Sequence, residues 1–170
     1  IIGRCAGGME FGARALGNRS ILADPRDINT ISRINGIIKK RDFWMPFAPV
    51  IIDTCWDKYI DNNNKIFSPY MTVGFATTPQ GQKAMPAAIH PADKTMRPQM
   101  LVREMNPFYY DIVREFEKKT GVGALINTSF NLHGHPIVKS PEDAIWVFLK
   151  SDLDALLINN VYIEKKRTQL

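Results

Sequence analysis

The sequence predicts an α/β domain, a mixed and twisted β-sheet with helices packed on it. Short apolar runs of strand length alternate along the chain with stretches whose apolar residues recur at helical spacing. Glycine, proline and asparagine punctuate the boundaries between them. The 170 residues, 45% apolar and 23% charged, have the size and make-up of one soluble globular domain with a sizeable core.

The elements follow in order. Ile1 to Cys5 reads as a strand entering a glycine-rich turn. Asp24-Pro25 has the pattern of a helix start, and Ile28, Ile31, Ile34 and Ile38 then recur at helical spacing. Ala48 to Ile52 reads as a buried strand and Met71 to Thr77 as another. Residues 78–98, polar and proline-bearing, read as a long functional or mobile loop. Asn106-Pro107 starts a helix with Phe108, Ile112, Val113 and Phe116 on one face, and Gly121 stops it. Ala124 to Ile126 is a short buried strand leading into a polar loop. Ser140-Pro141-Glu142-Asp143 has capping-box spacing and precedes the apolar positions Ala144, Val147 and Phe148. Ala155 to Ile158 and Val161 to Ile163 flank Asn159-Asn160, a hairpin signal.

Several function classes fall away. No apolar run approaches the ~18 residues that a membrane helix needs, and no signal-peptide pattern is present. Cys5 and Cys55 make a poor disulfide framework, so a reduced, cytoplasmic protein is expected. His90, His133 and His135 show no zinc spacing with the cysteines, and no metal site is expected in this chain. The net charge of +5 is concentrated: residues 1–41 hold eight basic side chains against Glu10, Asp24 and Asp27, and the rest of the chain balances. A solvated basic face explains this as well as an anion site does. The opening Ile1-Ile2-Gly3-Arg4 lacks methionine and lies inside an apolar run, so an excised domain of a longer enzyme is expected.

Three segments concentrate polar chemistry. In Gly7 to Ser20, four glycines in eleven residues let the backbone approach a ligand, and Arg14 and Arg19 offer planar forks to phosphate or carboxylate oxygens. The glycine spacing fits neither a P-loop nor a dinucleotide fingerprint, and an anion-binding turn and a purely structural turn stand level. Lys39, Lys40 and Arg41 fall in a helix's last turn, where cations complement the dipole. The following Phe43-Trp44-Met45-Pro46-Phe47 would pack that helix end, leaving Lys39 or Arg41 able to face a site. Asn127-Thr128-Ser129-Phe130-Asn131 is either a polar pocket wall or a loop satisfying its own backbone. Arg97 and Arg103 add further candidate anion contacts. With no Ser-His-Asp or Cys-His ordering and no paired carboxylates, the chemistry indicated is electrostatic positioning of an anionic substrate, as phosphoryl or nucleotidyl transfer requires.

Read together, Met9 to Ser20, Asp24-Pro25-Arg26, Lys39 to Pro49 and Asn127 to Val138 resemble the C-terminal domain of the carbamoyltransferase family of nodulation and antibiotic biosynthesis. The likeness keeps the order and spacing of several motifs over nearly the whole of residues 1–170. It implies a YrdC-like fold that handles ATP, with magnesium, and carbamoyl phosphate, forming carbamoyladenylate and releasing pyrophosphate. It also implies an N-terminal actin-like partner domain, carrying iron or another metal, that passes the carbamoyl group to an acceptor hydroxyl. Carried residue by residue, Lys39 and Ser129 take catalytic roles, and Arg14, Arg41, Arg97, Asn127 and Asn131 bind nucleotide and substrate. Three positions depart from the family pattern. Ala13 stands in place of a proline, Met45 in place of an arginine whose phosphate contact is either lost or supplied by Arg41, and His135 in place of a glutamate. Two rival readings are an RNA-binding module of the same fold and a catalytically idle docking domain. The first quarter interleaves its charges with glycine and isoleucine more than with stacking aromatics, which argues against RNA.

Overall fold

The computed structural model describes residues 1–39 and 45–165, with Lys39 as backbone. Strand β1 (Ile2–Cys5) enters the glycine-rich loop 6–18, and the chain returns antiparallel to it as β2 (Arg19–Ala23). Helix α1 (Asn29–Ile34), extended by a π-helical turn over Asn35–Lys39, precedes β3 (Pro49–Ile52). Next come α2 (Trp56–Tyr59), β4 (Phe75–Ala76), α3 (Pro79–Ala84), β5 (Thr95–Met96) and β6 (Gln99–Leu101). Helix α4 (Pro107–Thr120), β7 (Ala124–Ser129), α5 (Pro141–Lys150) and the hairpin β8 (Ala155–Ile158) with β9 (Val161–Glu164) complete it. Seven strands form one sheet in the order β6-β3-β7-β2-β1-β8-β9, and β4 pairs with β5 separately. The pairs β1–β8 and β3–β6 are parallel and the other ladders antiparallel, so the sheet is mixed as predicted.

The pleat divides the core in two. Neighbours on β7 point to opposite faces: Leu125 joins Val50, Ile52 and the α4 residues Tyr109 and Val113, whereas Ile126 joins Ile21, Ile34 and the α5 residues Val147 and Phe148. Each fully buried side chain of this size contributes roughly 1.5–3 kcal/mol. Local chemistry fixes the two long helices. Asn106 Oδ1 accepts from the Tyr109 N–H, Pro107 begins α4, and left-handed Gly121 (φ 78°) ends it. Ser140 Oγ accepts from the Asp143 N–H while the Asp143 carboxylate accepts from the Ser140 N–H, closing a capping box on α5.

Four expectations are corrected. Asp24-Pro25 does not start a helix: the Asp24 carboxylate takes the Arg26 N–H and guanidinium in a local turn, α1 begins at Asn29, and Ile28 is exposed. Residues 71–77 yield only the two-residue β4, and Met71, at φ 57°, lies outside the extended region. Residues 78–98 are structured: Thr78 caps α3 through the Gly81 N–H, and Thr95–Met96 pair with β4. Phe108 faces outward, 74% exposed, while Tyr109 and Tyr110 take the core positions. No helix among the described residues is long and apolar enough to cross a membrane.

Candidate functional site

Three segments distant in sequence meet at one small cleft of about 90 Å³. Loop 6–18 brings Arg14, the approach to β6 brings Arg97, and the end of β7 brings Asn127, Thr128 and Ser129, with Pro46 to Ala48 and Met71 completing the wall. Arg14 and Arg97 are exposed, and no carboxylate is among the described lining residues. An adjoining recess of about 230 Å³ shares Pro46, Phe47, Ala48 and Arg97 and is otherwise lined mainly by apolar groups, including Met45, Ala88 and Met96. The arrangement places two arginines on the wall of one cleft, and guanidinium groups there can hold phosphate or carboxylate oxygens.

The Arg14 loop is held by groups that do not themselves face solvent. Asn127, 2% exposed, donates from Nδ2 to the Ala15 carbonyl (3.0 Å) and to Gln99 Oε1 (2.8 Å). Gln99, 1% exposed, donates onward to the Leu16 carbonyl (2.9 Å). On the loop's far side Glu10 Oε1 accepts from the N–H groups of Leu16 (2.8 Å), Asn18 (2.6 Å) and Arg19 (3.4 Å). Gly17 sits at φ 126°, and a Cβ there would collide with the Tyr109 ring. Asn127 therefore positions Arg14 in addition to lining the cleft, and its Oδ1 is buried with no partner among the described residues.

Arg19 is not a ligand fork. Only 5% exposed, it donates to the carbonyls of Ala6, Gly7, Asn18 and Lys139 and clamps the two stems of the loop. Arg103 pairs with Asp111 (2.9 Å), Arg26 with Asp24 (2.6 Å) and Arg33 with Asp154 (3.1 Å). Buried Arg4 and Arg19 subtract two charges from the basic face that the sequence puts in the first quarter.

At the strand end the predicted loop is partly strand: β7 runs through Ser129, which pairs with Ser20 of β2. Ser129 Oγ donates to Asn131 Oδ1 (2.8 Å), and Asn131 Nδ2 donates to the carbonyls of Leu132 (3.0 Å) and His135 (2.7 Å). Asn131 thus orients the Ser129 hydroxyl and ties down the turn behind it. Lys39 ends the π-helical turn, its side chain outside the described residues, and Arg41 lies wholly outside them. The cysteines are poor nucleophiles: burial pushes the Cys5 thiol up, and burial together with the hydrogen bond to Glu117 does so for Cys55. No His, Cys, Asp and Glu grouping among the described residues is suited to hold a metal ion.

Sequence reasoning missed Glu10 and Gln99. The available signals were a lone carboxylate inside a glycine-rich turn, an acceptor for its free N–H groups, and a polar residue directly before the apolar Met100-Leu101-Val102.

Residues 1–165 match the model of the family described as Carbamoyltransferase C-terminus. Among curated relatives, an uncharacterized protein of Methanocaldococcus jannaschii is 42% identical over 98% of this chain and 27% of its own length. Nodulation protein NolNO of Sinorhizobium fredii is 41% identical over 99% of the chain and 25% of its own length. Nodulation protein NolO of Bradyrhizobium diazoefficiens is 39% identical over 100% of the chain and 31% of its own length. The chain therefore spans between a quarter and a third of the length of these relatives.

Proposed function

We propose, on the premise that this chain belongs to the carbamoyltransferase C-terminal family, that the cleft between Arg14, Arg97 and Ser129 takes ATP and carbamoyl phosphate and makes carbamoyladenylate. The observation behind this reading is that Arg14, Arg97 and Ser129, whose hydroxyl is oriented by Asn131, line one cleft whose described lining has no carboxylate. In the balanced reaction, water first cleaves carbamoyl phosphate to carbamate and phosphate. A carbamate oxygen then attacks the α-phosphorus of ATP, the bond from that phosphorus to its bridging oxygen breaks, and pyrophosphate leaves. Magnesium enters with ATP as part of the substrate. Arg14 and Arg97 offset the charge that develops on the phosphate oxygens, and Ser129 holds the carbamoyl end. Lys39 adds a mobile point charge and Arg41 a further contact. The apolar recess beside Arg97 accommodates the base.

Transfer of the carbamoyl group to an acceptor hydroxyl belongs, in this reading, to an N-terminal actin-like domain, in keeping with the greater length of the relatives. The test is carbamoyl phosphate-dependent release of pyrophosphate from ATP, measured on the chain joined to that domain and on residues 1–170 by themselves. Arg14→Ala and Arg97→Ala are each expected to slow it by ~100-fold, about 3 kcal/mol, in the joined protein. Full rates in both variants reject the site. Transfer to a hydroxyl acceptor by residues 1–170 alone rejects the division of labour.

A further inference from the structure

We propose that the cavity between loop 6–18, the β8–β9 turn and the start of α4 is a second ligand site, which takes a compact anion, carboxylate or phosphate, carried on an apolar body. This inference does not rest on the function proposed above, since the cavity shares no lining residue with the Arg14 cleft.

Its volume is about 750 Å³, in the range of small-molecule sites. Arg4 of β1 lines it and is only 4% exposed. The guanidinium donates through Nη1 to the Gly17 carbonyl and to Asn18 Oδ1 (3.2 Å) and lies over the Tyr109 ring (5.7 Å to its centroid); among the described residues its Nε has no hydrogen-bond partner and the group forms no ion pair. Burial pulls its pKa down, with the nearby Glu10 carboxylate acting against this and Arg19 with it. A cation so placed is costly without a carboxylate against it, and an incoming anion supplies the missing charge.

Helix α4 provides a second, independent feature. Its N-terminal end is at the cavity through Asn106, Pro107 and Phe108, and the positive end of a fourteen-residue helix favours the same sign of ligand. Among the described residues no acidic side chain lines the cavity, whereas amides do: Asn18 and Asn106, which hydrogen-bond each other (2.9 Å), and Asn159 and Asn160 of the turn.

The opposite character comes from Phe108, the aromatic that the helical pattern assigns to the core and the fold leaves 74% exposed, together with Met105 and Leu157. A bare anion would leave this wall in water, and an apolar ligand would leave Arg4 without a counter-charge. One ligand with both parts satisfies both.

The probes are phenyl phosphate and phenylacetate, titrated into the protein by calorimetry, with inorganic phosphate and uncharged phenylacetamide as controls. At least one of the two aromatic anions is expected to bind ten times or more tighter than either control. The stronger of the two identifies the phosphate or the carboxylate as the preferred head group. Asn160→Asp, which puts a negative charge at the exposed rim, and Phe108→Ala, which removes the wall, should each weaken binding at least tenfold, and neither disturbs the core. Arg14→Ala should change it less than twofold. Absence of binding by both anions overturns the proposal, as does equal binding of a control or indifference to either rim variant. Loss of binding in Arg14→Ala overturns it too, because the probe would then occupy the other cleft.

Discussion

Alanine at Asn127 or at Gln99 detaches the Arg14 loop from the sheet, and the structure sets the size of the effect. In Asn127→Ala the Ala15 carbonyl and Gln99 Oε1 lose their donor, while the orphaned Asn127 Oδ1 disappears, a net gain of one unsatisfied buried acceptor. In Gln99→Ala the Leu16 carbonyl loses its donor, again a net gain of one. Each costs about 1–3 kcal/mol, or a melting temperature lower by about 2–4 °C per kcal/mol at this chain length. In the double variant the Ala15 and Leu16 carbonyls are orphaned and Asn127 Oδ1 is gone, so the net gain is again one. The double variant is therefore expected to be destabilised about as much as either single, which the midpoints of urea unfolding read directly. Pyrophosphate release in the joined protein should fall by similar factors in both singles, because each acts through the position of Arg14. Stability losses that add to within ~0.5 kcal/mol refute the network. An inactive Asn127→Ala beside a fully active Gln99→Ala refutes the positioning role and puts the Asn127 amide on the substrate.

Other outcomes follow from the same geometry. Gly17→Ala forces a side chain at φ 126° into the Tyr109 ring and is expected to destabilise the chain by ~2 kcal/mol or more, whereas Gly8→Ala, with open space at its Cβ, should be close to neutral in the same unfolding assay. Lys39→Ala should slow pyrophosphate release by ~100-fold and Lys40→Ala should matter little; equal losses would make Lys39 only a helix-end charge. The Asp143 carboxylate is held below its usual range by the N–H groups of Ser140 and Lys139, so its contribution to stability is present above the unfolded value near ~3.9 and is lost as pH falls through the lower folded value. Asp143→Asn should accordingly be less stable than the parent at pH 7 and converge with it on acidification; a constant difference at all pH values removes the carboxylate from the argument.

The elements legible in the sequence are those whose cause is local. Helices α4 and α5 carry their caps and stops within a few residues of their ends, and the β8–β9 turn is written in Asn159-Asn160. The strand character of Pro49–Ile52 is visible as an unbroken apolar run. Strand β2 was not legible, because Arg19–Ala23 follows the glycine-rich turn without a break and its burial on both faces leaves no alternation to read. The polar end of β7 reads as loop for a related reason: Asn127 to Ser129 are strand only because β2 lies alongside to pair with them. The chemical character of the candidate residues is legible along the chain, and their convergence is not. Arginines 4, 14, 19 and 97 look alike in sequence, yet the fold buries the first and third among backbone carbonyls and leaves the second and fourth at a cleft. A guanidinium's role is set by which acceptors surround it: Arg4 meets the Gly17 carbonyl thirteen residues along the chain, and Arg19 meets the Lys139 carbonyl 120 residues away. Charge and hydrogen-bonding capacity belong to the residue and can be read along the chain; desolvation and partner choice belong to the packed sheet, and only the tertiary structure decides them.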